Sequence, residues 1–226
     1  MFIGHFALGL AAKRAAPRTS LGTLFVAPTL ADLLWPVFLL LGWEHARVVP
    51  NPNPFLNLWL DDIPTSHSLL TLIGWGALFA FLYRMRTGYA KGAMVLALLV
   101  VSHWVLDFIT HRPDMPLYPG GPTVGLGLWN SVLATLLVEG AMFLVGIAIY
   151  TRATRPRDRI GRYGFWALAL VLALSYVSSL FSPPPQDQRT LALLALVFGG
   201  LFVWFAAWVD KHREAAHDAM TPRFTT

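Results

Sequence analysis

The stretch Ser102-His-Trp-Val-Leu-Asp-Phe-Ile-Thr-His-Arg-Pro-Asp114 closes an apolar run that begins near Tyr89. His103, Asp107 and His111 are spaced by four. On a helix, an imidazole, a carboxylate and a second imidazole therefore share one face. Pro113 lacks an N–H and restricts Arg112, which stops the helix at that point. A polar stripe on a segment apolar enough for lipid is costly and marks a functional site. Imidazole with carboxylate is a donor set for zinc or another borderline metal. The same pair would also serve as a hydrogen-bonded contact between two helices. On this stretch alone the two readings carry equal weight.

The surrounding chain must carry such a stripe. Of its 226 residues, 56% are apolar and 13% charged, with a mean hydropathy of +0.56. A soluble domain is about a quarter charged. The composition therefore describes an all-α, polytopic transmembrane bundle, one integral membrane domain over 1–226. Apolar runs at 19–42, 66–83, 89–111, 124–151, 163–181 and 190–209 predict six spanning helices, each near the roughly 20 residues that a bilayer requires. Residues 1–12 predict a short N-terminal helix, half-inserted or packed. The opening Met-Phe-Ile-Gly-His lacks the basic region of a cleavable signal and is expected to remain. There is no cysteine, which excludes a disulfide framework, thiolate chemistry and a cysteine zinc site.

The basic residues predict the orientation. Fourteen of the seventeen fall in alternate connections: Lys13, Arg14 and Arg18; Arg84, Arg86 and Lys91; Arg152, Arg155, Arg157, Arg159 and Arg162; and Lys211, Arg213 and Arg223. Arg47, Arg112 and Arg189 occupy the other side. The positive-inside rule makes the fourteen cytoplasmic. This predicts a protein of the plasma (bacterial inner) membrane with a cytoplasmic C-terminus. The net charge of +5 is thus a topology signal and not a nucleic-acid surface. At about 1.5 Å per helical residue from the cytoplasmic ends, His5, Asp32, His67, His103, Asp107 and Glu139 fall about 12–25 Å up. Six groups on five segments would then meet between mid-bilayer and the outer face. The outer loops, 43–65 and 112–127, are rich in proline and glycine and predict stiff turns rather than helix.

The second half reads differently. Residues 1–151 carry the motifs, whereas 152–226 read as scaffold helices and a tail. Spans 163–181 and 190–209 contain no charge, and Ser175, Ser178, Ser179 and Gly199-Gly200 read as helix-packing faces. His212 and His217 read as solvated, and His45 beside Glu44 as interfacial.

Four motifs now stand in order: Gly4-His5-x-x-x-Gly9, Asp32 in Ala-Pro-Thr-Leu-Ala-Asp, Thr65-Ser-His67-Ser68, and His103-x-x-x-Asp107. In type and order they resemble the membrane-bound metal-dependent hydrolases grouped loosely with zinc-dependent phospholipases C and related nucleases. The resemblance covers about residues 4–115. That family often has Asp-x-Asp where Leu30 and Leu34 flank Asp32, and often an Arg ahead of Thr-His-Ser where this chain has Asp61-Asp-Ile-Pro. The resemblance implies hydrolase activity.

The residues themselves support that chemistry. Imidazole and carboxylate ligands leave a position for a water whose pKa the ion lowers. The expected ligands are His67, His103, Asp107, Asp32 and His5, around zinc, with manganese as the alternative. Glu139 is a candidate general base, or else a hydrogen-bonded group filling a polar cavity. His111 and Asp114, at the mouth, are candidates for proton transfer or substrate contact. Ser68 and Thr65 are expected behind the ligands, with helix capping the other role for Ser68. The expected function is hydrolysis of a lipid or lipid-linked ester or phosphoester from the outer leaflet. The partners are membrane lipids, with no nucleic acid. The alternatives are a transporter or ion relay using the same groups, and a non-catalytic membrane scaffold.

Overall fold

The computed structural model describes residues 1–216; His217 and Arg223 lie outside the described residues. Eight α-helices follow in order: α1 (Ile3–Ala15), α2 (Leu21–Val26), α3 (Leu30–Leu41), α4 (Leu69–Thr87), α5 (Ala90–Thr110), α6 (Val132–Ala153), α7 (Phe165–Ser179) and α8 (Gln188–Lys211). The all-α membrane fold expected from composition is present. Among the described residues five helices are long and apolar enough to cross a membrane: α4, α5, α6, α7 with the π-helical turn Ile160–Gly164 before it, and α8.

The first expected span, 19–42, is not one helix. It is α2 and α3, separated by a turn at Ala27–Thr29. Pro28 is the physical reason, because its ring removes a donor and clashes with the helical path behind it. Thr29 Oγ1 donates to the Phe25 carbonyl at 2.7 Å and holds the break.

The short helix α1 is packed inside the bundle. Nine of its thirteen residues are buried. It runs along α6 and touches α2 and α5. Two glycines allow this. A Cβ on Gly146 of α6 would lie 2.7 Å from the Ala7 carbonyl oxygen, and one on Gly9 would lie 2.7 Å from the Leu24 carbonyl oxygen. In contrast, α4 buries only Leu72 and Gly76 along its length, so it packs on α5 and presents the rest outward.

The two ends of the bundle differ. At the basic end, Lys13 Nζ donates to Asp210 Oδ2 (2.7 Å) and the Thr19 carbonyl (2.9 Å). Asp210 also accepts from Leu21 N (2.9 Å) and Tyr150 OH (2.8 Å). Strand β5 (Thr154–Pro156) pairs there with β6 (Arg213–Ala215). His212, expected solvated, is partly exposed and bonds Asp158 at 2.6 Å. Among the described residues β5 and β6 are the last of six short strands. At the other end, the proline-rich loops form two small antiparallel hairpins. One pairs β1 (His45–Val48) with β2 (Leu58–Asp62), and the other β3 (Met115–Pro116) with β4 (Thr123–Val124). Arg47 clasps Asp61 through two bonds of 2.6 and 2.7 Å, and this holds the Asp61 carboxyl below its ordinary value.

The serine face of α7 corrects an expectation. Ser175, Ser178 and Ser179 do not form a helix-packing seam. With Pro183, Phe198 and Phe202 they line an open groove of about 540 Å³ between α7 and α8. The hydroxyls of Ser178 and Ser179 turn back to the carbonyls of Ser175 and Tyr176, so the groove stays apolar. Gly199 does pack closely, against Leu33 of α3, whereas Gly200 faces open space.

Candidate metal centre

The last turns of α5 carry His103 and Asp107, both buried. His103 Nδ1 lies 2.8 Å from the carbonyl oxygen of Pro28, at the break between α2 and α3. A carbonyl only accepts, so Nδ1 carries the proton and Nε2 presents its lone pair. His103 Nε2 is 2.9 Å from Asp107 Oδ2 and 4.0 Å from Asp32 Oδ1. It is fully enclosed, and its contact with Asp107 is at ion-pair distance without hydrogen-bond geometry, so it has no hydrogen-bond partner among the described residues. The ring of His5, from α1, stacks on His103 with centroids 4.1 Å apart. Its Nε2 is 3.1 Å from Asp107 Oδ1, and the α-amino group of Met1 also pairs with that oxygen. His67, just ahead of α4, brings Nε2 to 3.7 Å from Asp32 Oδ1.

All five expected ligands therefore converge. They form two triads, His5–His103–Asp107 and Asp32–His67–His103, and within each the ligand atoms lie within 4.8 Å of one another. Ligands roughly 2 Å from one ion are at most roughly 4 Å apart, so a small side-chain movement closes either triad. Both triads contain His103, and its Nε2 lies near a carboxylate oxygen of each, Asp107 at 2.9 Å and Asp32 at 4.0 Å, so the two sets adjoin. An enclosed imidazole nitrogen without a partner, beside two carboxylates and two further imidazoles, fits a borderline divalent metal. The fit extends outward, because His103 and His67 each have Nδ1 hydrogen-bonded, as ligating imidazoles require.

At the mouth, His111 Nε2 is 3.8 Å from Asp107 Oδ2 and Nδ1 is 3.1 Å from Asp114 Oδ1. The His111 ring leans on Trp129 at 4.1 Å. Asp114 is also braced by Arg112 at 3.3 Å. Glu139 is engaged at the start of α1. Its Oε2 accepts from the amides of Phe2 (2.8 Å) and Gly4 (3.2 Å). Its Oε1 is buried with no partner among the described residues. Ser68 takes the capping role, since its hydroxyl is the N-cap acceptor of α4. Thr65 sits behind His67 through its backbone: its N–H reaches Glu44, and its carbonyl accepts Trp75 Nε1 at 2.9 Å.

The centre meets a cleft at Asp32. The Asp32 side chain is 46% exposed. It lines a cleft of about 270 Å³ between α3 and α8, with Phe2, Trp35, Trp129 and Phe198. Phe2, Ala195, Phe198 and Phe202 line both this cleft and the α7–α8 groove, so the two spaces are neighbours.

Residues 64–184, more than half of the chain, match the family described as YdjM inner membrane protein. The chain belongs to the YdjM inner membrane protein family. The matched region holds His67, α4, His103, Asp107, His111, Glu139 and α7. His5, Asp32 and α8 lie outside it. No curated protein and no solved structure matches the chain.

Three features of the site escaped the sequence reading. Glu44, named in the sequence only as the neighbour of His45, is completely buried and bonded to the turn that carries His67. The Pro28 carbonyl is the partner of His103. Trp35 and Trp129 line the cleft, and their buried indole N–H groups have no partner among the described residues. The proline was visible as a helix breaker, but which side chain would use its carbonyl was not.

Proposed function

We propose that this chain is an integral membrane metal-dependent hydrolase that acts on a lipid or lipid-linked ester or phosphoester. The observation that carries the reading is His103 Nε2, enclosed and without a hydrogen-bond partner among the described residues, facing ligand atoms from four other side chains. His5, Asp32, His67, His103 and Asp107 would hold the ion, zinc or else manganese. A bound ion of this kind acidifies a water and polarises a carbonyl or phosphoryl oxygen.

The chain's own groups supply the rest. Asp32 faces the cleft and marks where a substrate headgroup meets the centre. The indole N–H groups of Trp35 and Trp129 are enclosed beside the cleft and unpaired among the described residues, so a turn of either ring would bring a donor to an ester or phosphoryl oxygen. The His111–Asp114 pair, within 3.8 Å of Asp107, offers a path for a proton between the centre and the outer loops. The apolar walls supplied by Phe2 and Phe198 suit an acyl or prenyl chain. A relay across the membrane is less well supported. Between His5 and Lys13, α1 carries no titratable residue, and the Lys13–Asp210 pair is already satisfied by its neighbours. We infer a site facing the extracytoplasmic side, because the basic clusters lie at the opposite end of the helices.

Metal content is the deciding measurement. The parent, His103→Ala and Asp107→Ala are purified in mild detergent without chelator, and metal is counted by mass spectrometry. About one divalent ion per chain is expected in the parent, with loss from both variants. A parent that stays metal-free in excess zinc and manganese, while folded, would sink the hydrolase reading.

A further inference from the structure

Glu44 belongs to none of the motifs that mark the centre, yet its side chain is completely buried in the loop between α3 and β1. Oε1 accepts the N–H groups of Thr65 (2.7 Å) and Ser66 (2.8 Å). Oε2 accepts the hydroxyl of Ser66 at 2.5 Å. Ser66 is also completely buried, and its Oγ lies 2.6 Å from His67 Nδ1. A hydroxyl has one proton to give. It is given to Glu44, so toward His67 the same oxygen can only accept. His67 Nδ1 therefore carries a proton, and Nε2 turns its lone pair toward Asp32.

We propose that Glu44 and Ser66 are positioning residues that fix the tautomer and aim of His67 as a metal ligand. This rests on the metal reading above. The two imidazoles are oriented by different means. His103 is held by a backbone carbonyl, which no side-chain substitution removes. His67 is held by two side chains, so its basicity and direction depend on residues that never reach the ion. Partners of this kind orient ligating histidines and raise their basicity, and their loss typically costs 10–100-fold in metal affinity.

A carboxylate that merely fastens the 63–67 turn would look similar, and Ser66→Ala separates the two roles. It leaves Glu44 with both backbone amides, which fasten the turn, and removes the hydroxyl that joins Glu44 Oε2 to His67. Glu44→Gln is the second variant. An amide NH2 in place of Oε2 would donate to Ser66 Oγ and turn the hydroxyl proton toward His67 Nδ1, which forces the wrong tautomer.

The parent and both variants, full-length and in detergent, are titrated with cobalt(II). The visible d–d band and a chelator competition are the readouts. The expected result is a 10–100-fold weaker cobalt(II) affinity and an altered band in Ser66→Ala, and at least as large a loss in Glu44→Gln. Parental affinity and an unchanged band in Ser66→Ala would overturn the proposal and leave Glu44 a loop fastener. A parent that binds no cobalt(II) would overturn the metal reading itself, and this proposal with it.

Discussion

Glu139 shows how one buried carboxylate separates two roles. Its Oε2 gathers the amides of Phe2 and Gly4 and so anchors the helix that carries His5. Glu139→Leu leaves both amides without an acceptor, at about 1–3 kcal/mol for each unsatisfied buried donor. Glu139→Gln retains a carbonyl oxygen in the same place. Thermal unfolding in detergent should therefore show a lower Tm for the Leu variant and a nearly parental Tm, with parental metal content, for the Gln variant. Equal loss in both would mean that the charge, and not the acceptor, holds α1. Some of the site is legible at this scale: His103 and Asp107 declare themselves because spacing by four is a local property of one helix. Glu44 does not, because its contact with Ser66 joins two ends of a loop whose path no local pattern states.

Helix packing sets the distances between the ligand-bearing segments. On α6, Gly146 faces the backbone of α1, where a Cβ would lie 2.7 Å from the Ala7 carbonyl oxygen, whereas a Cβ on Gly140 would meet nothing within 4 Å. The two alanine substitutions should therefore differ in sign. Gly140→Ala is expected to be neutral or to raise stability, by up to about 1 kcal/mol from helix propensity. Gly146→Ala pushes α1 off its bed against a backbone atom that cannot rotate away, and overpacking of this kind costs about 1–3 kcal/mol. Tm values of the two variants in one detergent test the contrast; a Gly146→Ala protein as stable as Gly140→Ala would refute the packing described for α1 and α6. The break at Pro28 belongs to the same scale. Hydropathy shows one apolar stretch from 19 to 42, but Pro28 divides it, and in the resulting turn the Pro28 carbonyl meets His103.

Over the whole molecule, the acids and histidines of the centre gather toward one end, and the basic clusters toward the other. Because the chain has no cysteine, single cysteines report orientation without background. Arg189 and Arg155 are both exposed, at the start of α8 and in β5. In intact cells, a membrane-impermeant thiol reagent should label Arg189→Cys and spare Arg155→Cys. The reverse pattern would turn the centre toward the cytoplasm and remove the outer leaflet as the source of substrate.

What the sequence determined by itself were the properties carried by composition and short-range spacing. Low charge and long apolar runs make a membrane helix bundle, and the four-residue spacing of His103 and Asp107 puts both on one helical face. The basic clusters and the proline-rich loops fall in alternate connections for the same reason, since each is a count along the chain. Only the tertiary structure decided how the segments meet. Asp32 of α3 reaches His67 across the β1–β2 hairpin, α8 opens a cleft beside Asp32 although it carries no motif, and the serines of α7 line a groove instead of a seam. These depend on rotation and approach between helices that are apolar nearly all round, so no single polar stripe states which face turns inward. The backbone contacts that set that approach, Gly146 on Ala7 and Gly9 on Leu24, join residues far apart in the chain.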